Sequence, residues 1–294
     1  MSEPAEGWLD RGGVRLHYVE WRPEGDARRD PPVLLLHGLS SNARYWDRLA
    51  RHLGGRHLVA LDQRGHGLTG RPPHAPDPAT GYLMEELLED AEFVAGELGI
   101  ERPMVVGHSW GATVALELVS ARPDFASALI FIDGPVQSAA NMFSWEEAQG
   151  FMQPPLPRFA NFADAIAESK RDFEGAWDDD LEPFVTERVI QEGDGLLLTL
   201  TGPVRLELLR GLYDSQPDVL WPRLTIPAVA LLARGGPAGI SSWKERGAAR
   251  LAAHAPTVEV LWFDTPHDIP LFAPAEVAAE IERISSAAAA SAGS

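Results

Sequence analysis

One five-residue motif restricts what this chain of 294 residues can fold into. Gly107-His108-Ser109-Trp110-Gly111 has a glycine two positions away from the serine on each side, the pattern G-x-S-x-G. The apolar run 103–106 before it predicts a strand, and the run 112–118 after it predicts a helix. A serine on so tight a turn tolerates only small neighbours, and its hydroxyl stands clear at the start of the helix. The alternative is an ordinary Gly/Ser turn, since short patterns recur by chance.

Apolar segments alternate with segments of helical spacing on both sides of this motif. The predicted strands are 8–10, 14–21, 33–36, 57–61, 103–106, 128–132, 226–233 and 258–263. The predicted helices are 42–53, 84–98, 112–118, 242–253 and a closing helix with Val277, Ile281 and Ile284 on one stripe. This alternation indicates an α/β domain with a mostly parallel central sheet flanked by helices. Right-handed crossovers bring the carboxyl ends of the strands to one edge of the sheet.

Residues 136–223 interrupt this alternation. They are rich in aromatic side chains, are predicted to be helical, and begin directly after Asp133-Gly134-Pro135 at the edge where the strands end. We therefore expect a core domain of residues 1–135 and 224–294, with a helical cap (lid) domain of residues 136–223 inserted after the sixth strand. The alternative is a helical insertion with no part in function.

Composition excludes several classes of partner and site. The net charge is −18, from 43 acidic and 25 basic residues, which disfavours nucleic acid and anionic membranes as partners. The absence of cysteine excludes a Cys nucleophile, a thiolate metal site and disulfides. Residues 1–7 lack the apolar stretch of a signal peptide, and no run approaches the roughly 20 apolar residues of a membrane span. We expect a cytoplasmic protein with a frayed tail at residues 285–294.

Four motifs, taken in order, resemble those of the α/β-hydrolase fold family over essentially the whole chain. They are His37-Gly38, Asp62-Gln63-Arg64-Gly65-His66-Gly67, Gly107-His108-Ser109-Trp110-Gly111 and Pro266-His267-Asp268, each after a predicted strand. The resemblance implies a Ser–acid–His hydrolase with a helical lid and with no metal or organic cofactor. A serine at position 109 excludes the branches of the family that use Asp there, such as haloalkane dehalogenases and epoxide hydrolases.

The catalytic roles of nucleophile and base follow from these motifs. Ser109 is the predicted nucleophile, and it needs a base because a serine hydroxyl barely ionises at neutral pH. Of the nine histidines, only His267 follows the last predicted strand, so it is the predicted base. His108 is adjacent to the serine. Its side chain is expected to point away from the site and to have a packing role rather than a catalytic one.

The predicted acid, Asp133, departs from the commonest pattern of the family. That pattern has an aspartate after the next-to-last strand, but here residues 233–244 contain no carboxylate and Glu245 falls inside a helix. The other position known in the family is one strand earlier, where Asp133 ends its strand. Asp133 would accept the imidazole N–H, fix the tautomer and stabilise the imidazolium. The alternative is that Asp133 only caps a turn.

Three other aspartates compete for this role and are set aside. Asp264 and Asp268 flank His267 too closely in sequence to orient its imidazole. Asp62 is expected to pair with Arg64 and to shape its loop.

The resemblance also places the oxyanion hole, the pair of backbone N–H groups that stabilises the developing negative charge. These groups belong to Leu39, the residue after His37-Gly38, and to Trp110, the residue after the nucleophile. The predicted substrate-binding residues are Leu39, Ser40 and Trp110. The side chains of Leu39 and Trp110 would fit the hydrophobic core equally well.

The predicted activity is hydrolysis of carboxylic esters, including lactones. The aromatic residues of the lid indicate a small-molecule substrate with an apolar acyl or aryl part. The same triad also supports C–C bond hydrolysis, perhydrolase activity and a slow-turnover ligand receptor. A peptidase similar to proline iminopeptidases is a further alternative, although those enzymes have His-Gly-Gly-Pro where this chain has His37-Gly38-Leu39-Ser40.

Overall fold

The computed structural model describes residues 3–23, 29–72, 81–153, 155–236 and 238–292. The strands in these residues are β1 (Ala5–Arg11), β2 (Val14–Trp21), β3 (Arg29–Leu36), β4 (Arg56–Leu61), β5 (Met104–His108), β6 (Ala128–Ile132), β7 (Arg158–Phe159), β8 (Val189–Glu192), β9 (Gly195–Leu198), β10 (Ala228–Ala233) and β11 (Val258–Phe263). The α-helices are α1 (Asp47–Arg51), α2 (Met84–Glu97), α3 (Trp110–Ala121), α4 (Trp145–Met152), α5 (Phe162–Asp172), α6 (Glu182–Thr186), α7 (Gly202–Asp214), α8 (Pro217–Leu220), α9 (Ala238–His254), α10 (Ile269–Phe272) and α11 (Pro274–Ala292). None of the described helices is both long and apolar enough to span a membrane.

The central sheet has eight strands in the order β1-β2-β4-β3-β5-β6-β10-β11. β2 pairs antiparallel with β1 and β4, and all the other pairs are parallel. Successive residues of β3 point to opposite faces. Val33 and Leu35 pack with α1 and α11, whereas Leu34 and Leu36 pack with α2 and α3. Helices therefore cover both faces, so every residue of β4, β5, β6 and β10 is buried.

The predicted α/β class with a mostly parallel, helix-flanked sheet is confirmed, and the differences are local. The predicted helix 42–53 is a 3₁₀ turn, Ala43–Trp46, followed by the short helix α1. The predicted frayed tail is wrong for residues 285–292, because α11 continues to Ala292. Ser285 and Ala288 are buried on the face of α11 that meets the core, so packing extends the helix.

The segment predicted to be a helical cap also contains a second sheet. Its order is β7-β9-β8, and both pairs are antiparallel. β8 and β9 form a hairpin whose connection is Gly193-Asp194, with Gly193 at a φ of 59°. The segment therefore contains the expected helices, α4 to α8, and in addition a small sheet that the sequence analysis did not predict. The segment packs on the rest of the chain, for example through the amide of Asn42, which donates to the carbonyl of Phe184 at 2.9 Å.

Candidate active site

Ser109 occupies the turn between β5 and α3 in a strained conformation. Its φ is 54° and its ψ is −120°, a combination that residues with a Cβ rarely adopt. A Cβ on Gly107 would lie 2.4 Å from the carbonyl oxygen of Gly111, and one on Gly111 would lie 2.3 Å from the carbonyl oxygen of Leu36. Both glycines of the motif are therefore required by the space around the turn, which has the geometry of a nucleophile elbow.

The structure brings two predicted members of the triad together. His267 lies between β11 and α10, and its Nδ1 is 2.6 Å from Oδ2 of Asp133 at the end of β6. The imidazole is 48% exposed, whereas the Asp133 side chain is fully buried. The bond to the carboxylate assigns the proton to Nδ1, which leaves Nε2 free to accept one.

The nucleophile adjoins this pair through its backbone. The N–H group of Ser109 donates to the carbonyl of Ile132, directly before Asp133, at 2.8 Å. Its hydroxyl makes no hydrogen bond to the described residues, and contacts between a nucleophile and its base often tighten only when substrate binds.

Lys244 also belongs to this site, although the motifs in the sequence do not predict it. Its Nζ lies 2.6 Å from Oδ2 of Asp133 and 3.2 Å from the carbonyl oxygen of Ala233. The second carboxylate oxygen, Oδ1, accepts the N–H of Ala233 at 2.9 Å. Lys244 shares one buried stripe of α9 with Ala248 and Leu251, at positions i, i+4 and i+7. A lysine that shares the buried face of a predicted helix with apolar residues is the feature of the sequence that indicates a buried charge.

The charges of the site act on one another. Burial acts to raise the pKa of Asp133, but the hydrogen bond and charge of His267 and the ammonium of Lys244 outweigh it, so this pKa lies below its ordinary value. Burial acts to lower the pKa of His267, but Asp133 and the charge of Asp268 outweigh it, so this pKa lies above its ordinary value. The charge of Lys244 lowers the pKa of His267.

His108 does more than pack, contrary to expectation. Its buried Nε2 lies 3.1 Å from the carbonyl oxygen of His267 and 3.3 Å from the hydroxyl of Tyr45. Tyr45 stacks on the His108 ring at 4.8 Å and donates to Oδ1 of Asp268 at 3.2 Å. Burial and the charge of His267 lower the pKa of His108 to about 4, so its ring is neutral at neutral pH. These three side chains hold the backbone of the loop that carries the imidazole of His267.

The predicted oxyanion loop runs directly against the nucleophile. A Cβ on Gly38 would lie 3.1 Å from Nδ1 of His108 and 3.2 Å from Cβ of Ser109, so a side chain here would require these neighbours to shift by a few tenths of an ångström. Leu39 is the next residue. Trp110 is the first residue of α3, so its N–H group has no acceptor within the helix. This arrangement is compatible with the predicted oxyanion hole, which stays a prediction.

The three predicted substrate-binding residues have different environments. The indole of Trp110 is 1% exposed and stacks on His66 at 5.3 Å, so the prediction that it lines a substrate pocket is wrong. The indole instead fills the core beneath the elbow, where burial of an aromatic ring contributes most to stability. Leu39 is partly buried against the same core cluster. Ser40 has a positive φ of 62°, and its hydroxyl accepts a hydrogen bond from Arg205 of α7.

The expected pairing of Asp62 with Arg64 is wrong. The fully buried carboxylate of Asp62 lies 2.7 Å from Nδ1 of His17 and accepts the N–H of Ala43 at 2.6 Å. Arg64 instead bonds to Asp90 of α2. Both residues shape the loop, but each has a partner that is distant in sequence.

Comparisons with known proteins agree with this fold. A family model described as the alpha/beta hydrolase fold matches residues 31–172. Lipase LipV of Mycobacterium tuberculosis is 30% identical over 272 residues, which cover 91% of this chain and 97% of that protein. Epoxide hydrolase 3 of Xenopus tropicalis is 34% identical over 172 residues, which cover 55% of this chain but only 43% of that protein. The solved structure of E-2-(acetamidomethylene)succinate hydrolase has a TM-score of 0.76 at 19% identity, covers 96% of this chain and 99% of that one, and shows the shared fold alone.

Proposed function

Because the chain belongs to the α/β-hydrolase fold family and is a hydrolase, we propose that it cleaves carboxylic esters, including lactones, through an acyl-enzyme on Ser109. One observation carries the proposal. The backbone of a strained elbow serine bonds to Ile132, the residue before a buried aspartate, and that aspartate lies 2.6 Å from Nδ1 of His267. The aspartate fixes the tautomer in which Nε2 accepts the serine proton, so the three residues have the roles of nucleophile, base and acid.

The first half-reaction is acylation. Ser109 Oγ attacks the ester carbonyl carbon while its proton passes to Nε2 of His267. The N–H groups of Leu39 and Trp110 stabilise the oxyanion of the tetrahedral intermediate, by about 3 kcal/mol for each donor. The intermediate then collapses, and His267 gives its proton to the departing alcohol.

The second half-reaction is deacylation, in which water takes the place of Ser109. His267 accepts a proton from the water, which attacks the acyl carbonyl, and then returns the proton to Oγ of Ser109. The carboxylic acid leaves, and the free enzyme is restored. Asp133 stays ionised throughout and stabilises the imidazolium that forms in each half-reaction.

The nature of the nucleophile favours esters over epoxides. Epoxide hydrolases occur among the relatives, but the branches of the family with that activity are expected to use Asp where this chain has Ser109. Residues 136–223, which follow β6 at the edge of the sheet, are proposed to cover the site as a cap and to receive an apolar acyl or aryl part of the substrate.

Turnover of p-nitrophenyl butyrate tests the proposal. Wild-type protein is expected to show steady turnover, and Ser109→Ala is expected to lower kcat by about 10⁶ because the nucleophile is lost. Ser120→Ala, on the same helix as the elbow, is the matched control and should leave turnover unchanged. Full activity in Ser109→Ala would contradict the proposal. A single burst without steady turnover would support a ligand receptor instead.

A further inference from the structure

Arg205 is a cap residue with an unusual charge environment. It lies on α7, is half-buried, and donates from Nε and Nη2 to the carbonyl of Met152 at 3.3 and 3.0 Å. Its Nη1 donates to the hydroxyl of Ser40. Every acceptor that it contacts among the described residues is therefore uncharged.

No acidic group in the described part of the chain compensates this charge. Burial lowers the pKa of Arg205, and no carboxylate acts in the opposite direction. An arginine nevertheless stays protonated at neutral pH. Two other arginines between core and cap differ, because Arg44 bonds to Glu187 at 3.0 Å and Arg48 bonds to Asp180 at 3.1 Å.

The position of Arg205 connects it to the site of ester cleavage. Its partner Ser40 directly follows Leu39, the proposed oxyanion donor. Burial holds the pKa of His66 well below its ordinary value. Neighbouring charges, including that of Arg205, act in the same direction. His66 in turn stacks on Trp110, the residue after the nucleophile. The guanidinium therefore lies on the cap side of the loop that runs against Ser109.

A half-buried cation without a counterion destabilises a folded protein, because it loses hydration and gains no opposite charge. Such a cost is typical of a group that binds a ligand rather than one that stabilises the fold. A guanidinium has five N–H donors, and the contacts above use three of them. One N–H on each Nη is left to donate to a further acceptor, such as a carboxylate.

We propose that Arg205 binds a free carboxylate on the substrate, so that the preferred substrates are half-esters of dicarboxylic acids. The inference rests on the proposed ester hydrolysis and adds the chemical class of the substrate. The apolar part of the acyl chain then lies between the reacting carbonyl at Ser109 and the carboxylate at Arg205.

Matched pairs of ethyl esters test this inference. Monoethyl succinate, glutarate and adipate are each compared with the ester that has an isopropyl group in place of the carboxylate, and proton release is followed in a pH-stat. Wild-type protein is expected to prefer one charged ester over its uncharged match. Arg205→Met should lower kcat/KM for that ester by about 10- to 100-fold, because a hydrogen-bonded charge pair is lost, and change the uncharged ester by about threefold at most.

Two further variants control for folding and for general effects of charge. Arg205→Lys keeps the charge without the planar fork and should retain part of the preference. Arg210→Met removes an exposed arginine of the same helix that bonds to Asp214 at 2.7 Å, and it should leave both esters unchanged. Equal losses for both esters in Arg205→Met, or no preference in the wild type, would overturn the inference while ester hydrolysis stands.

A binding measurement separates failure of this inference from failure of the proposed function. Ser109→Ala is titrated with adipate, with succinate and with inorganic phosphate in a calorimeter, with and without Arg205→Met. Binding of a dicarboxylate that is lost with Arg205 supports the inference even if no ester is turned over. Absence of dicarboxylate binding, or equal binding of inorganic phosphate, would overturn it.

Discussion

The neighbouring strands β6 and β10 end at the same edge of the sheet but contribute opposite charges to the site. β6 ends at the carboxylate of Asp133. β10 is followed by a segment without a carboxylate, but the helix after it returns Lys244 to the same oxygen at 2.6 Å. Where the commonest pattern of the family has its acid, this chain therefore has the cation that holds the acid. A strand end that contains no catalytic side chain can therefore still determine the electrostatics of the triad.

Oδ2 of Asp133 consequently has two partners, His267 Nδ1 and Lys244 Nζ, each at 2.6 Å. The ammonium keeps the carboxylate ionised and fixes its orientation. The same ammonium opposes a positive charge on the imidazole, since like charges repel. Asp133 and Lys244 therefore affect the pKa of His267 in opposite directions.

The largest expected effect comes from neutralising Asp133, the residue that follows β6. Asp133→Asn should lower kcat by about 10⁴ with little change in KM, because the amide no longer stabilises the correct tautomer or the imidazolium. Steady-state kinetics with p-nitrophenyl butyrate measures this change.

A smaller effect, visible in the pH profile, is expected from removing the charge of Lys244 on α9, the helix that follows β10. Lys244→Met removes the positive charge that lowers the pKa of His267, so this pKa should rise further. The base must be deprotonated in the free enzyme, so kcat/KM rises with pH as His267 loses its proton. The acid limb of the profile should therefore move to higher pH, and the activity should approach the wild-type value above that limb.

Lys170→Met, which alters an exposed lysine of the cap, is the control for this profile and should leave it unchanged. An acid limb that stays in place in Lys244→Met, or moves to lower pH, would show that Lys244 does not act on His267.

The smallest effect is expected at the aspartate that follows β11. Asp264 is 90% exposed and pairs with Arg234 at 3.2 Å, so it makes no contact with the imidazole. Asp264→Asn should therefore leave kcat and the pH profile unchanged. Damage in Asp264→Asn together with full activity in Asp133→Asn would reverse the assignment of the acid.

The fold and most of the site follow from local features of the sequence. Buried strands are continuous apolar runs, and the chemistry-bearing residues come directly after them, so Asp133 and His267 are found by position alone. The glycines of the elbow follow from close backbone contacts that only a residue without a Cβ permits.

The rest depends on contacts between residues that are distant in sequence. Lys244 and Arg205 are ordinary helix residues until α9 and α7 dock against the sheet edge and the Ser40 loop. The pairings of Asp62 with His17 and of His108 with Tyr45 likewise cross between elements. Only the packed chain brings these groups together. The cytoplasmic location of the protein is a separate matter and stays a prediction.

Covalent labelling is the most direct test of Ser109 as a nucleophile activated by His267 and Asp133. An alkyl p-nitrophenyl phosphonate is added, and mass spectrometry locates the label among the proteolytic peptides. We expect one phosphonyl group on Ser109, formed with release of p-nitrophenolate and much more slowly in Asp133→Asn than in the wild type. A label on another residue, or an equal rate of labelling in Asp133→Asn, would show that Ser109 and Asp133 do not have the roles of nucleophile and acid.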